Sequence, residues 1–163
     1  MAVIRGQELL GYGVHTLRNG KRPYDLIGQA RRVLLSYLEE FSPDVVVIEA
    51  PLLLPTKRAA LLSTIAQELR ERAEEMGLQV LEVTPQSARA LIAGNPKATK
   101  LEVANVLVRK FPDLASKVPV VERRSALGPK PSERYWLHMF DALALANSQL
   151  LSGTPQPQFL SND

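Results

Sequence analysis

The stretch that most constrains this chain is Trp136-Leu137-His138-Met139-Phe140-Asp141-Ala142-Leu143-Ala144-Leu145-Ala146. It reads as an apolar helix carrying a histidine and an aspartate three residues apart. Residues at i and i+3 share one helix face, so both side chains can address a single point. An ionised carboxylate among alanines and leucines is costly unless something compensates it, and a metal ion is one such partner. The second landmark is Asp44-Val45-Val46-Val47-Ile48-Glu49-Ala50-Pro51, a short apolar strand that ends on a glutamate. A carboxylate at a strand end beside a His/Asp helix suggests a metal-dependent active site.

The residue inventory narrows that chemistry. Cysteine is absent, which removes disulfides and thiolate metal sites, and the two histidines, His15 and His138, are too few for a multi-histidine zinc site. A metal here would be held mainly by carboxylates, which favours magnesium or manganese. No run is apolar or long enough for a membrane span and no signal peptide is visible, so a cytoplasmic protein is expected. A chain of 163 residues suits one domain with a real core. The expected domain spans residues 1–151, followed by a disordered Pro/Gln/Ser tail over 152–163.

Charge is unevenly spread. Residues 1–94 carry 11 basic and 11 acidic side chains, whereas 95–134 carry nine Lys/Arg against four Asp/Glu. The surplus lies just before the His138/Asp141 helix and suits a polyanion, although charge alone equally fits a solvated surface.

The pattern predicts an α/β or α+β layer fold with a mixed sheet. Residues 2–5 and 8–17 read as strands joined at Gly6-Gln7, with Asn19-Gly20 closing the hairpin region. Leu26, Ile27, Ala30, Val33, Leu34, Tyr37, Leu38 and Phe41 recur at helical spacing, predicting a helix over 24–41 that Ser42-Pro43 stops. The continuous apolar run from Asp44 to Glu49 predicts a buried strand with a parallel neighbour. After a loop at 51–57, a helix is expected over 58–76, ending at Gly77, then a strand over 78–83. Thr84-Pro85 opens a short helix through Ile92, Gly94-Asn95-Pro96 breaks the chain, and Thr99 caps a helix to about Arg109. Residues 113–131 show no period and read as a long loop, and 133–151 form the last helix.

Several motifs in this order resemble the RuvC-type Holliday-junction resolvases, which have the ribonuclease-H-like fold. They are Tyr12-Gly13-Val14, Ser42-Pro43 running into the Asp44–Glu49 strand, Val83-Thr84-Pro85, Gly94 with Ala98-Thr99-Lys100, and His138-x-x-Asp141-Ala142-Leu143-Ala144. Each is common alone; their order and spacing over roughly residues 8–150 are specific. The resemblance implies a ribonuclease-H-like mixed sheet flanked by helices. It implies a dimeric crossover-junction endodeoxyribonuclease of DNA recombination and repair, hydrolysing phosphodiesters at four-way junctions with Mg2+ or Mn2+. Glu49 matches the family's strand-end glutamate and Asp141 its last-helix aspartate; His138 stands where the family has an aspartate or a histidine. Catalytic and metal-binding roles are therefore expected for Glu49, His138 and Asp141. Arg89 and Lys100 match basic positions that face DNA phosphates near the family's catalytic centre.

The residues also admit plainer readings. Glu49 could be a surface acid and His138 a satisfied core histidine; their shared context favours the site. Lys97 and Lys100 oppose the helix dipole at a helix start, which points to an anion there. Arg123 and Arg124 suit either a DNA arm or a solvated loop. Tyr135 and Trp136 could stack on a splayed base, but packing is preferred.

The resemblance has one gap. The family opens with a strand carrying an essential aspartate, whereas Met1–Gly6 already matches its second strand, and neither Glu8 nor Asp25 matches the aspartate. The first strand is therefore expected to be missing, through truncation or natural loss, with activity impaired. The family's first strand lies between the hairpin and the Asp44–Glu49 strand. The hairpin is expected to close directly against that strand; the alternative is a second chain covering the edges. A non-catalytic nucleic-acid-binding module that kept the fold is the competing functional reading, and another enzyme of the same superfold is the third.

Overall fold

A computed structural model describes residues 1–18, 23–50, 55–119 and 131–152. Strands β1 (Ala2–Arg5) and β2 (Glu8–Tyr12) precede helix α1 (Pro23–Phe41), strand β3 (Val45–Glu49) and helix α2 (Lys57–Glu75). Strand β4 (Gln79–Val83), helices α3 (Pro85–Ala93) and α4 (Lys100–Lys110), a 3-10 turn over Pro112–Lys117 and helix α5 (Pro131–Ser152) complete the order.

Local chemistry fixes most boundaries. Gly6 makes the β1–β2 turn with φ +57°, in the region that favours glycine. Helix α1 buries Ala30, Leu34 and Leu38, spaced four apart, and packs on α2. Helix α2 starts where the Thr56 hydroxyl accepts from the Ala59 N–H. It ends in a Schellman motif, with the Leu78 and Gly77 N–H groups on the Ala73 and Glu74 carbonyls. Thr84 caps α3 through the Ser87 N–H, and Gly94 ends it. A reciprocal Thr99/Glu102 capping box starts α4.

The β3–α2–β4 unit is a parallel crossover with Val46 opposite Val80 and Val47 opposite Leu81. Strands β1 and β2 pair antiparallel with a bulge between Val3 and Ile4. Helix α5 is the common floor. It packs on α3, α4, β1 and β3, and its Met139, Phe140, Leu143, Ala144 and Leu145 are buried. Leu107, Phe111 and Leu114 join the same core from α4 and the 3-10 turn.

Three expectations change. The hairpin does not close against β3: among the described residues β1–β2 and β3–β4 are separate two-stranded sheets. Each docks on α5 independently, Ala2, Ile4 and Leu9 from one sheet and Val47 from the other packing against the core. Next, the second strand stops at Tyr12 rather than continuing to residue 17. Beyond it Gly13 still exchanges hydrogen bonds with Met1, and side chains then take over at two points: Tyr135 donates to the Val14 carbonyl, and the Gln29 carboxamide accepts from the Arg18 N–H and donates to the Arg18 carbonyl. Finally, the loop expected from 113 begins with the Pro112–Lys117 turn, whose Leu114 is fully buried. Asn19-Gly20, Arg123, Arg124 and the tail from 153 lie outside the described residues.

Candidate active site and nucleic-acid interface

Four elements bring charge to one crevice. Glu49 ends β3, where the Ala50 N–H still donates to the Val83 carbonyl and holds the strand end beside the start of α3. Arg89 comes from the middle of α3, Lys100 from the first turn of α4, and His138 and Asp141 from α5. Glu49, Arg89 and Asp141 line a narrow crevice floored by Ala88, Val103 and Ala144. Small residues at 88 and 144 let the helices approach closely enough for the charged groups to meet.

Electrostatics set the character of the crevice. Loss of water raises the Glu49 carboxyl above its ordinary range, and the neighbouring Asp141 carboxylate raises it further. Lys100, Arg89 and His138 oppose that shift. The Lys100 ammonium donates to Asp141 Oδ2 in a partly buried ion pair. His138 is largely exposed, and its Nδ1 lies 3.8 Å from the same oxygen, beyond direct hydrogen bonding. Lys97 is exposed in the turn before α4, where its N–H donates to Asn95 Oδ1.

The residues do not yet make a divalent-cation centre. Among the described residues no three His, Cys, Asp or Glu side chains cluster closely enough to hold a metal. The site has two carboxylates and a peripheral imidazole, and a lysine ammonium already compensates one carboxylate oxygen. A hard ion such as magnesium would have to displace Lys100 to use that oxygen.

No family model and no curated relative matches the chain. Solved structures do. A Thermus thermophilus RuvC structure superposes with a TM-score of 0.66 at 22% identity, covering 92% of this chain and 84% of that one. T. thermophilus RuvC in complex with Holliday junction substrate superposes with a TM-score of 0.65 at 21% identity, covering 93% and 84%. This is a RuvC-type, ribonuclease-H-like fold. In this RuvC-like frame the crevice is formed where the β3 end, α3, α4 and α5 meet.

Of the residues singled out in the sequence, the structure gathers Glu49, Arg89, Lys100, His138 and Asp141. Lys97 lies in the exposed turn before α4, and Arg123 and Arg124 lie outside the described residues. Tyr135 and Trp136 are engaged within the protein: the Tyr135 hydroxyl donates to Val14, and the Lys117 ammonium lies 4.4 Å from the Trp136 ring centroid. The Lys100–Asp141 pair joins residues 41 apart, and no local pattern announces it. Among the described residues no helix is long and apolar enough to cross a membrane.

Proposed function

We propose that this chain binds branched DNA of the four-way-junction type, in the manner of the RuvC resolvases, with cleavage impaired. The observation that carries the reading is the convergence of Glu49, Asp141, Arg89 and Lys100 on one crevice of a RuvC fold. Arg89, Lys97 and Lys100 contact phosphates there, and Arg123 and Arg124 extend the same basic surface in sequence. Glu49 and Asp141, with His138 at the edge, are the acidic side of a phosphodiester-hydrolysing centre of the magnesium or manganese type. In the chain as described that centre lacks a third acidic ligand. A homodimer presenting two such faces would match the two-fold character of a four-way junction.

The Lys100–Asp141 ion pair favours a second reading, a non-catalytic junction-binding module. A tethered ammonium neutralises the acid pair and lets a polyanion approach without a divalent ion. Electrophoretic binding of a four-way junction and of a linear duplex, without divalent metal and across a salt series, tests recognition. Junction binding should exceed duplex binding and fall steeply with salt. Lys97→Ala/Lys100→Ala should weaken it; equal affinity of that variant, at equal salt, removes the assignment of this face. Magnesium-dependent symmetric nicking abolished by Glu49→Gln would overturn the impairment and support the full nuclease reading.

A further inference from the structure

A second basic feature lies away from the acid crevice. A shallow cleft of about 450 Å³ opens between the segment after β2 and helix α1, with Tyr135 of α5 at its base. Its polar lining is His15, Thr16, Arg18, Gln29, Arg32 and Tyr135. Among the described residues it contains no carboxylate. The ion pairs among those residues involve neither Arg18 nor Arg32. Neighbouring Arg31 is instead paired with Glu68.

The wall bearing these cations is tied down from three sides. The Gln29 carboxamide brackets Arg18 through both its N–H and its carbonyl, as a neighbouring strand would. The Tyr135 hydroxyl holds the Val14 carbonyl. The His15 ring stands edge-on to Tyr37, with Nε2 3.1 Å from the Tyr37 hydroxyl. A non-strand segment held so firmly gives up little freedom on binding. Two guanidinium groups with no ion pair among the described residues, over an open, pre-shaped surface, suit a diffuse anion such as a phosphodiester backbone.

The cleft is also placed to work with the acid crevice. Tyr135 and His138 are neighbours on one face of α5, and His138 adjoins Asp141. Tyr135 and Asp141 are six residues apart in sequence, a rise of about 9 Å along a helix. That is about three nucleotide steps at 3.4 Å each.

We propose that the Arg18/Arg32 cleft is a second phosphate subsite, holding the backbone of a DNA strand that also reaches the Glu49/Asp141 crevice. The proposal rests on the reading of the chain as a branched-DNA binder. The test compares the parent chain, Arg18→Ala/Arg32→Ala and Lys97→Ala/Lys100→Ala on one four-way junction from 50 to 200 mM salt. Losing the cleft contacts should flatten the slope of log K against log salt by about 0.9 for each arginine engaged. Affinity at the lowest salt should fall at least threefold, equally for junctions of different sequence. Arg18→Lys/Arg32→Lys should restore most of it, and coincident melting curves would show that both variants fold. If Lys97→Ala/Lys100→Ala loses affinity while Arg18→Ala/Arg32→Ala keeps the parent's affinity and slope, the subsite is wrong and the DNA reading stands. If the parent binds no junction DNA, the DNA reading fails and the subsite falls with it.

Discussion

Lys100→Met is the substitution that most directly probes the crevice. Lys100 keeps 39% of its side-chain exposure and Asp141 25%, so their ion pair is neither a surface pair nor a buried one. Exposed pairs contribute about 0–1 kcal/mol. Breaking a fully buried pair costs about 3–5 kcal/mol because an uncompensated charge stays behind. The intermediate burial places the cost of Lys100→Met at about 1–2 kcal/mol. For a chain of this size each kcal/mol moves Tm by about 2–4 °C, so a fall of about 2–8 °C is expected. The methionine preserves most of the stem's packing volume, which leaves the charge as the main change.

Circular dichroism melts at pH 7 and low salt measure the effect, with Asp141→Asn and the double variant completing a cycle. In the cycle the double variant should lose less than the sum of the singles, since neither charge is then stranded. A titration with magnesium or manganese adds an independent readout. With the ammonium gone, the two carboxylates should accept a divalent ion, and at ten times its Kd that ion stabilises the fold by about 1.4 kcal/mol. The parent should gain much less. An unchanged or raised Tm for Lys100→Met would refute the idea that its ammonium neutralises the acid pair. So would a metal-induced gain as large in the parent as in the variant.

Three further outcomes are expected. Glu49 has a raised carboxyl pKa, so its stabilising share is complete below its ordinary value near 4.5 and is lost as pH rises through the higher folded value. Glu49→Gln should therefore melt higher than the parent at pH 7 and lose that slope; a lower Tm at pH 7 with an unchanged pH profile would count against it. Leu114, fully buried in the 3-10 turn, should cost about 2–5 kcal/mol as Leu114→Ala, read as a shift in the urea midpoint at constant m; a change below 1 kcal/mol would mean that the turn does not close the core. The edges of β1 and β3 that pair with no strand among the described residues should exchange their amide hydrogens faster than the β3–β4 ladder does, and equal protection would mean that something covers them.

Much of the fold is legible because its boundaries are written in short-range chemistry. Thr84-Pro85 and Thr99-x-x-Glu102 satisfy helix-start N–H groups from within four residues, and Gly77 and Gly94 supply the positive φ that helix ends need. The apolar run from Val45 to Ile48 announces a parallel strand because such strands are covered on both faces. What escaped is non-local. The segment after Tyr12 alternates like a strand, but Gln29 and Tyr135, 11 and 121 residues from their partners, satisfy its backbone instead. The Pro112–Lys117 turn is too short to show a period. In the crevice, the strand-end position of Glu49 and the i, i+3 spacing of His138 and Asp141 are visible in sequence. The ammonium of Lys100 on Asp141 is not, because tertiary packing alone sets that partnership.

The separation of the two sheets follows from how α5 is built. Its apolar residues run nearly around the helix, so it can be covered on several sides at once, by α3 and α4, by β1 and by β3. A strand paired on both edges would normally sit over such a helix. Here β3 carries Val46, Val47 and Ile48, all apolar, yet none of them is fully buried, although the run has the composition of a covered parallel strand. Strand β1 likewise has no fully buried residue. Both sheets thus keep their hold on α5 while, among the described residues, each leaves strand edges that pair with no other strand. Such edges invite pairing with another extended segment. Because Glu49 ends β3 and lies within electrostatic reach of Asp141 and Lys100, a strand paired on the edge of β3 that is open among the described residues would have one of its ends near the acid pair.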